Sequence, residues 1–120
     1  MLTVGCATRD VSQLETPERV GRWQRINQQK LDLKDVPEDV RKMNPQAAIE
    51  AIYVSEDSKR VRVRLFAMPS ETIAFALMQQ YLRREQIPFY KGSKFLLLDS
   101  SELNKEQVSK FASEFAETLR

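Results

Sequence analysis

The clearest regularity along the chain is an alternation from residue 60 to residue 67. Val61, Val63, Leu65 and Ala67 fall on one side, and Arg60, Arg62, Arg64 and Phe66 on the other. That is the period-two pattern of a strand with one buried face. Ala48 to Val54 is also strand-like, and the polar turn Ser55-Glu56-Asp57-Ser58 joins the two. A three-residue loop sets Tyr53 against Val61, Ala51 against Val63 and Ile49 against Leu65, with Glu50 opposite Arg64 as a cross-strand charge pair. Pro69 ends the second strand and Ser70 is a natural N-cap. Ile73, Leu77 and Tyr81, flanked by Ala74, Met78 and Leu82, then predict a helix over 70–86 with a broad buried face.

A second hairpin follows. Ile87-Pro88-Phe89-Tyr90 and Phe95-Leu96-Leu97-Leu98 flank Lys91-Gly92-Ser93-Lys94, where glycine supplies the turn. Pro88 confines its strand to an edge or a strand start, and the Phe-Leu run points to burial on both faces. Asn104 and Gln107 form a capping box ahead of the last helix, whose buried face is Val108, Phe111, Ala112, Phe115 and Leu119. The order hairpin, helix, hairpin, helix predicts an α+β fold: an antiparallel sheet of two β-hairpins, each followed by a helix, with the helices packed on one face. Upstream, Val36, Val40 and Met43 share one side of a short helix over 35–43, stopped by Asn44-Pro45. Gly21 to Ile26 is the first ordered piece, anchored by the sole tryptophan, Trp23. Residues 1–17 read as a flexible N-terminal tether and 18–120 as one domain.

Composition changes this picture by exclusion. The 120 residues are 42% apolar, enough for a core without staples. Nineteen basic residues (19) stand against 17 acidic ones for a net charge of +2, so there is no strong nucleic-acid signal. The absence of histidine removes imidazole bases and most zinc sites. No metal-ligand pattern, phosphate-cradling glycine loop or catalytic constellation appears, so the chain reads as non-enzymatic, without cofactor or metal.

Two features carry candidate chemistry. Arg60, Arg62 and Arg64 send three guanidinium groups to one face, a row suited to oxyanions, with Lys59, Lys91 and Lys94 as possible extensions. The ordinary explanation is the solvated side of a one-sided sheet. The second feature is Cys6, the only cysteine. Leu2-Thr3-Val4-Gly5-Cys6 followed by Ala7 resembles the cleavage box of a bacterial lipoprotein signal, in which the cysteine becomes the lipidated first residue. The positive start and apolar stretch of about 7–15 residues that export requires are missing ahead of it, so this reading implies a true start upstream.

From Gly21 onward the chain resembles an uncharacterised family of exported bacterial proteins, a domain of unknown function. The matching pieces are Gly21-Arg22-Trp23, Ala67-Met68-Pro69-Ser70-Glu71-Thr72-Ile73-Ala74-Phe75-Ala76 and Phe89-Tyr90-Lys91-Gly92-Ser93-Lys94-Phe95. Ala76 stands where that family tends to have glycine. The resemblance implies export and a fold, and no chemistry. Two expectations follow. One is an envelope domain lipid-anchored at Cys6, touching the membrane only through that anchor, that binds an anionic or protein partner through a sheet face. The other is a cytoplasmic module that binds an acidic protein or nucleic acid through the Arg60, Arg62 and Arg64 face.

Overall fold

The alternation after Ala47 is realised as a hairpin in the expected register. Ala47–Val54 and Arg60–Ala67 pair antiparallel, with Tyr53 opposite Val61, Ala51 opposite Val63, Ile49 opposite Leu65 and Glu50 opposite Arg64. A slip of one residue would turn the fully buried Val61, Val63 and Leu65 to the other face, which is why the register is so strongly specified. The connection closes with Ser58 N–H donating to Ser55 O and Ser55 N–H to Lys59 O. Ser58 takes the left-handed conformation there, with φ at 67°, the conformation that follows the turn in three-residue hairpin loops.

The structure, a computed structural model, describes residues 14–119. In chain order the strands are β1 (Arg19–Val20), β2 (Trp23–Lys30), β3 (Ala47–Val54), β4 (Arg60–Ala67), β5 (Ile87–Lys91) and β6 (Lys94–Asp99). They form one sheet in the order β1-β2-β3-β4-β6-β5, and each neighbouring pair is antiparallel. The helices are α1 (Glu38–Arg41), α2 (Glu71–Gln80) and α3 (Lys105–Thr118), and a 3-10 turn at Leu33–Asp35 precedes α1. The α+β class with an antiparallel sheet is as the pattern predicts. Pro88 does lie on the edge strand, β5.

The helices do not share a face, which corrects one expectation. Val61, Val63, Leu65, Leu96 and Leu98 pack with Val108, Phe111, Ala112 and Phe115 of α3. Phe66, Phe95 and Leu97 have the opposite parity and pack with Ala74, Leu77 and Tyr81, joined by Val36 and Val40 from the α1 segment. Two helices on one side would leave Phe66, Phe95 and Leu97 in water. Burying each of them contributes about 1.5–3 kcal/mol, more than any loop preference can oppose. The sheet is a layer between α3 and α2.

Two boundaries also move. The helix expected to reach 86 ends with Gln80, Tyr81 is its C-cap, and Leu82 is left 59% exposed. Trp23–Lys30 is a full strand, although its sequence shows no alternation. The register shifts between Arg25 and Asn27, a bulge at Ile26 that breaks the period of two. Its inner positions are polar because they bind the N-terminal segment. Thr16 is buried, its N–H donates to Gln28 Oε1 at 2.9 Å, and Arg25 Nη1 donates to Thr16 O at 2.7 Å. Tyr53 donates its hydroxyl to Pro17 O, and Leu14 packs against the core. Residues 14–17, read in the sequence as the end of the tether, are therefore attached to the folded unit.

Both long helices are capped as the sequence indicates. Ser70 Oγ accepts from Ile73 N–H, and Asn104 and Gln107 form a reciprocal box. The C-terminal end of α3 has no basic residue in its last turn. Lys91 Nζ reaches it from the β5–β6 turn and donates to Ala116 O and Leu119 O at 2.6 and 2.7 Å, placing a cation at the negative end of the helix. That turn needs Gly92, whose φ is 59°, at the first of its two central positions.

Burial pushes the Tyr53 hydroxyl up to about 12 from 10.0, against the smaller lowering effects of Thr16 and Arg25. Below pH 10 both folded and unfolded chains hold this proton, and its contribution is constant. Between pH 10 and about 12 only the unfolded chain ionises, so stability falls, by roughly 1.4 kcal/mol per pH unit. Chemical denaturation across this window should show wild type losing stability faster than Tyr53→Phe, by on the order of 2 kcal/mol in total. Lys91→Met should lower stability by about 1 kcal/mol in the same measurement at neutral pH.

Candidate functional site

Arg60, Arg62 and Arg64 share the side of β4 that carries Phe66, and α2 covers only the Phe66 end of it. The rest is open sheet. By register its neighbours are Glu50 and Ile52 of β3, Asn27 and Gln29 of β2, and Asp99 of β6. The three arginines therefore sit in three different settings along one strand.

Arg60 is exposed, and among the described residues its guanidinium forms no ion pair. Its backbone is fixed on both sides: the N–H donates to Glu102 Oε1 at 2.9 Å, and the carbonyl accepts from Ser100 Oγ at 2.5 Å. Arg62 is committed. Its Nε and Nη2 grip Asp99 Oδ1 and Oδ2 at 3.1 and 2.6 Å, and Nη1 lies 3.9 Å from Glu50 Oε1. The bonds to Asp99 raise the guanidinium above its ordinary value. Gln86 Nε2 adds a longer bond to Asp99 Oδ2, 3.4 Å.

The charge pair expected between Glu50 and Arg64 does not form, although their Cα atoms are opposite one another. Glu50 reaches diagonally to Arg62 instead, a distance long side chains on a sheet can span. Arg64 is left half-buried, with its Nε enclosed and without a hydrogen-bond partner. Loss of water around it, and the positive charge of Arg62 beside it, both lower its proton affinity.

Arg60 and Arg62 border a hollow of about 460 Å³ whose wall also includes Ile52, Asp99, Ser100 and Ser101. It offers one uncommitted planar fork, one fork held rigid by a carboxylate, and the Ser101 side chain beside an aliphatic floor. An oxyanion is the group such a set can hold. The lysines do not extend it. Lys91 is bound to the end of α3, and strand alternation puts Lys94 on that same side. Lys59 lines a separate cleft of about 540 Å³ with Trp23, Phe111, Lys110 and Glu114.

Sequence reasoning found the arginines and their shared face. It missed Asp99, Ser101, Gln86 and Tyr81, which reach the face from residues far along the chain and carry no local signal. Cys6 lies outside the described residues. Among the described residues no cluster of metal-ligating groups occurs and no helix is long and apolar enough to cross a membrane. No family model, curated protein or solved structure matches the chain.

The Arg62–Asp99 pair is partly exposed, at 42% and 30% of the side chains, so solvent discounts its Coulomb energy. A double-mutant cycle through Arg62→Met and Asp99→Asn should return a coupling of about 1 kcal/mol, shrinking as salt is raised from 0.05 to 1 M. A coupling unaffected by salt would mean that the bond is shielded from solvent.

Proposed function

We propose that this chain is a non-enzymatic binding domain of the bacterial envelope, held there through lipid on Cys6, that offers the open half of its arginine-bearing sheet face to an acidic protein partner. The observation that carries the binding role is the Arg60 hollow. An exposed guanidinium on a backbone anchored by Glu102 and Ser100 stands beside Arg62, which Asp99 holds in place. The first group has its donors free, and the second is pre-oriented, so the side-chain ordering that opposes association falls on Arg60 alone. What supports the address is the Leu2-to-Cys6 sequence and the resemblance to exported proteins; no contact in the folded domain bears on it.

Oligo-glutamate serves as the probe for the binding role. Its affinity for the domain, read by fluorescence anisotropy, should fall several-fold between 50 and 200 mM salt, and about tenfold in Arg60→Glu. Lys34→Glu, an exposed residue of the 3-10 turn, should bind as wild type does. Equal binding by Arg60→Glu and wild type would remove the face as the site. For the address, the mass of the mature N-terminus decides. A chain that begins at an acylated Cys6 supports it, and an unmodified chain beginning at Met1 leaves the cytoplasmic module as the reading.

A further inference from the structure

We propose that Arg64 and Tyr81 together form a receptor for a single carboxylate, inserted from the open half of the sheet face to the edge of the helix-covered half. This deepens the reading of the face as an acidic-partner site and rests on it for the source of the carboxylate.

Two enclosed polar side-chain atoms, Arg64 Nε and Tyr81 Oη, have no hydrogen-bond partner. Buried donors are nearly always satisfied in folded proteins, so two at one place mark where an acceptor belongs. They are neighbours in the fold. Tyr81 is the C-cap of α2, only 3% exposed, with its ring 5.6 Å from that of Phe95. Arg64 lies opposite Leu97 on β6, in the cluster that holds Phe95 and Tyr81. Each lies close enough to act on the other's proton affinity.

Arg64 Nε can only donate and the Tyr81 hydroxyl can donate as well as accept, so one group that completes both must accept. Charge then narrows the choice. Glu50 and Asp99 are both bonded or paired to Arg62, and Arg64 has no acid of its own. A water molecule could accept both bonds but would leave the half-buried guanidinium with only the distant charges of Asp99 and Glu50, whose nearest partner is Arg62. One negative charge on a flat group answers the fork of one arginine and one phenol, and a carboxylate has that form. Desolvation lowers the proton affinity of Arg64 and raises that of Tyr81, to which Asp39 also contributes; an anion between them relieves the first of these.

The cover over Tyr81 is itself movable. Arg84 stacks on the Tyr81 ring with its Cζ 4.3 Å from the centroid, and its contact with the hydroxyl falls outside hydrogen-bond geometry. Its Nη2 is paired with Asp39 Oδ2 at 2.9 Å, the two side chains being 49% and 36% exposed. Exposed pairs of this kind exchange partners at little cost, so an incoming carboxylate can pass them.

The test is an acetate titration of the ¹⁵N-labelled domain, following the Arg64 Nε–Hε resonance. Wild type should show a saturable shift. Tyr81→Phe, which keeps the ring that packs on Phe95, should bind about tenfold more weakly, and Lys34→Glu should leave the Arg64 response unchanged. Absence of a saturable shift, equal binding by Tyr81→Phe, or phosphate acting at tenfold lower concentration than acetate would each overturn the proposal. Oligo-glutamate distinguishes this from the broader reading. If Arg60→Glu abolishes peptide binding in a protein whose Arg64 shows no acetate response, the face stands and the receptor fails. If the Arg64 resonance answers acetate while peptide binding ignores Arg60→Glu, the receptor stands and its source is a small carboxylate.

Discussion

The constraint on which the rest of the structure depends is that β6 is apolar on both sides. Phe95, Leu96, Leu97 and Leu98 are each at most 1% exposed, and four consecutive strand residues cannot be buried by a cover on one face. With β4 on one flank and β5 on the other, β6 requires a helix above and another below. This requirement sends α3 and α2 to opposite sides and makes the chain cross the sheet between its hairpins. The two-helix layer arrangement is a consequence of one apolar run.

The open face follows from the same requirement. The same-side residues of β4 run Arg60, Arg62, Arg64, Phe66 and pass from exposed through half-buried to fully buried. The helix that covers Phe66 stops at Gln80, so solvation falls steadily along a strand of eight residues, roughly 26 Å long. Similar side chains placed at intervals on this gradient acquire different chemistry. The outermost arginine is a solvated cation, the middle one is neutralised by two acids, and the innermost is half-buried without an ion pair of its own. None of these settings belongs to arginine as a residue type; each is set by position relative to the edge of the core.

What was legible in the sequence was local. The register of β3 against β4, the capping box of α3 and the edge position of Pro88 all follow from residues within one turn or one hairpin of each other. The side taken by each helix was present in the parity of Phe66 against Leu65, since one strand that is apolar in both directions already asks for two covers. The β2 strand was hidden because the bulge at Ile26 erases its alternation, and because Arg25 and Gln28 face inward to hold Thr16 rather than to enter a core. At the candidate site, the guanidinium row was legible and the fates of its members were not. Arg62 finds Asp99 37 residues away, and whether Arg64 meets the Tyr81 end of α2 depends on where a helix stops. No residue near either arginine announces such partners.

The attachment of Thr16 has a mechanical meaning. Tension applied at Leu14 passes to the hydrogen bonds of Thr16, whose N–H is held by Gln28 and whose carbonyl is held by Arg25, while the next residue is held by Tyr53. Those bonds connect to β2 and to β3, so the load is divided between two strands before it comes to the two-residue β1. Bonds loaded together must break together, whereas an edge strand pulled from its end peels one bond at a time. The polar knot thus turns an end that would unzip into an anchorage that has to be sheared.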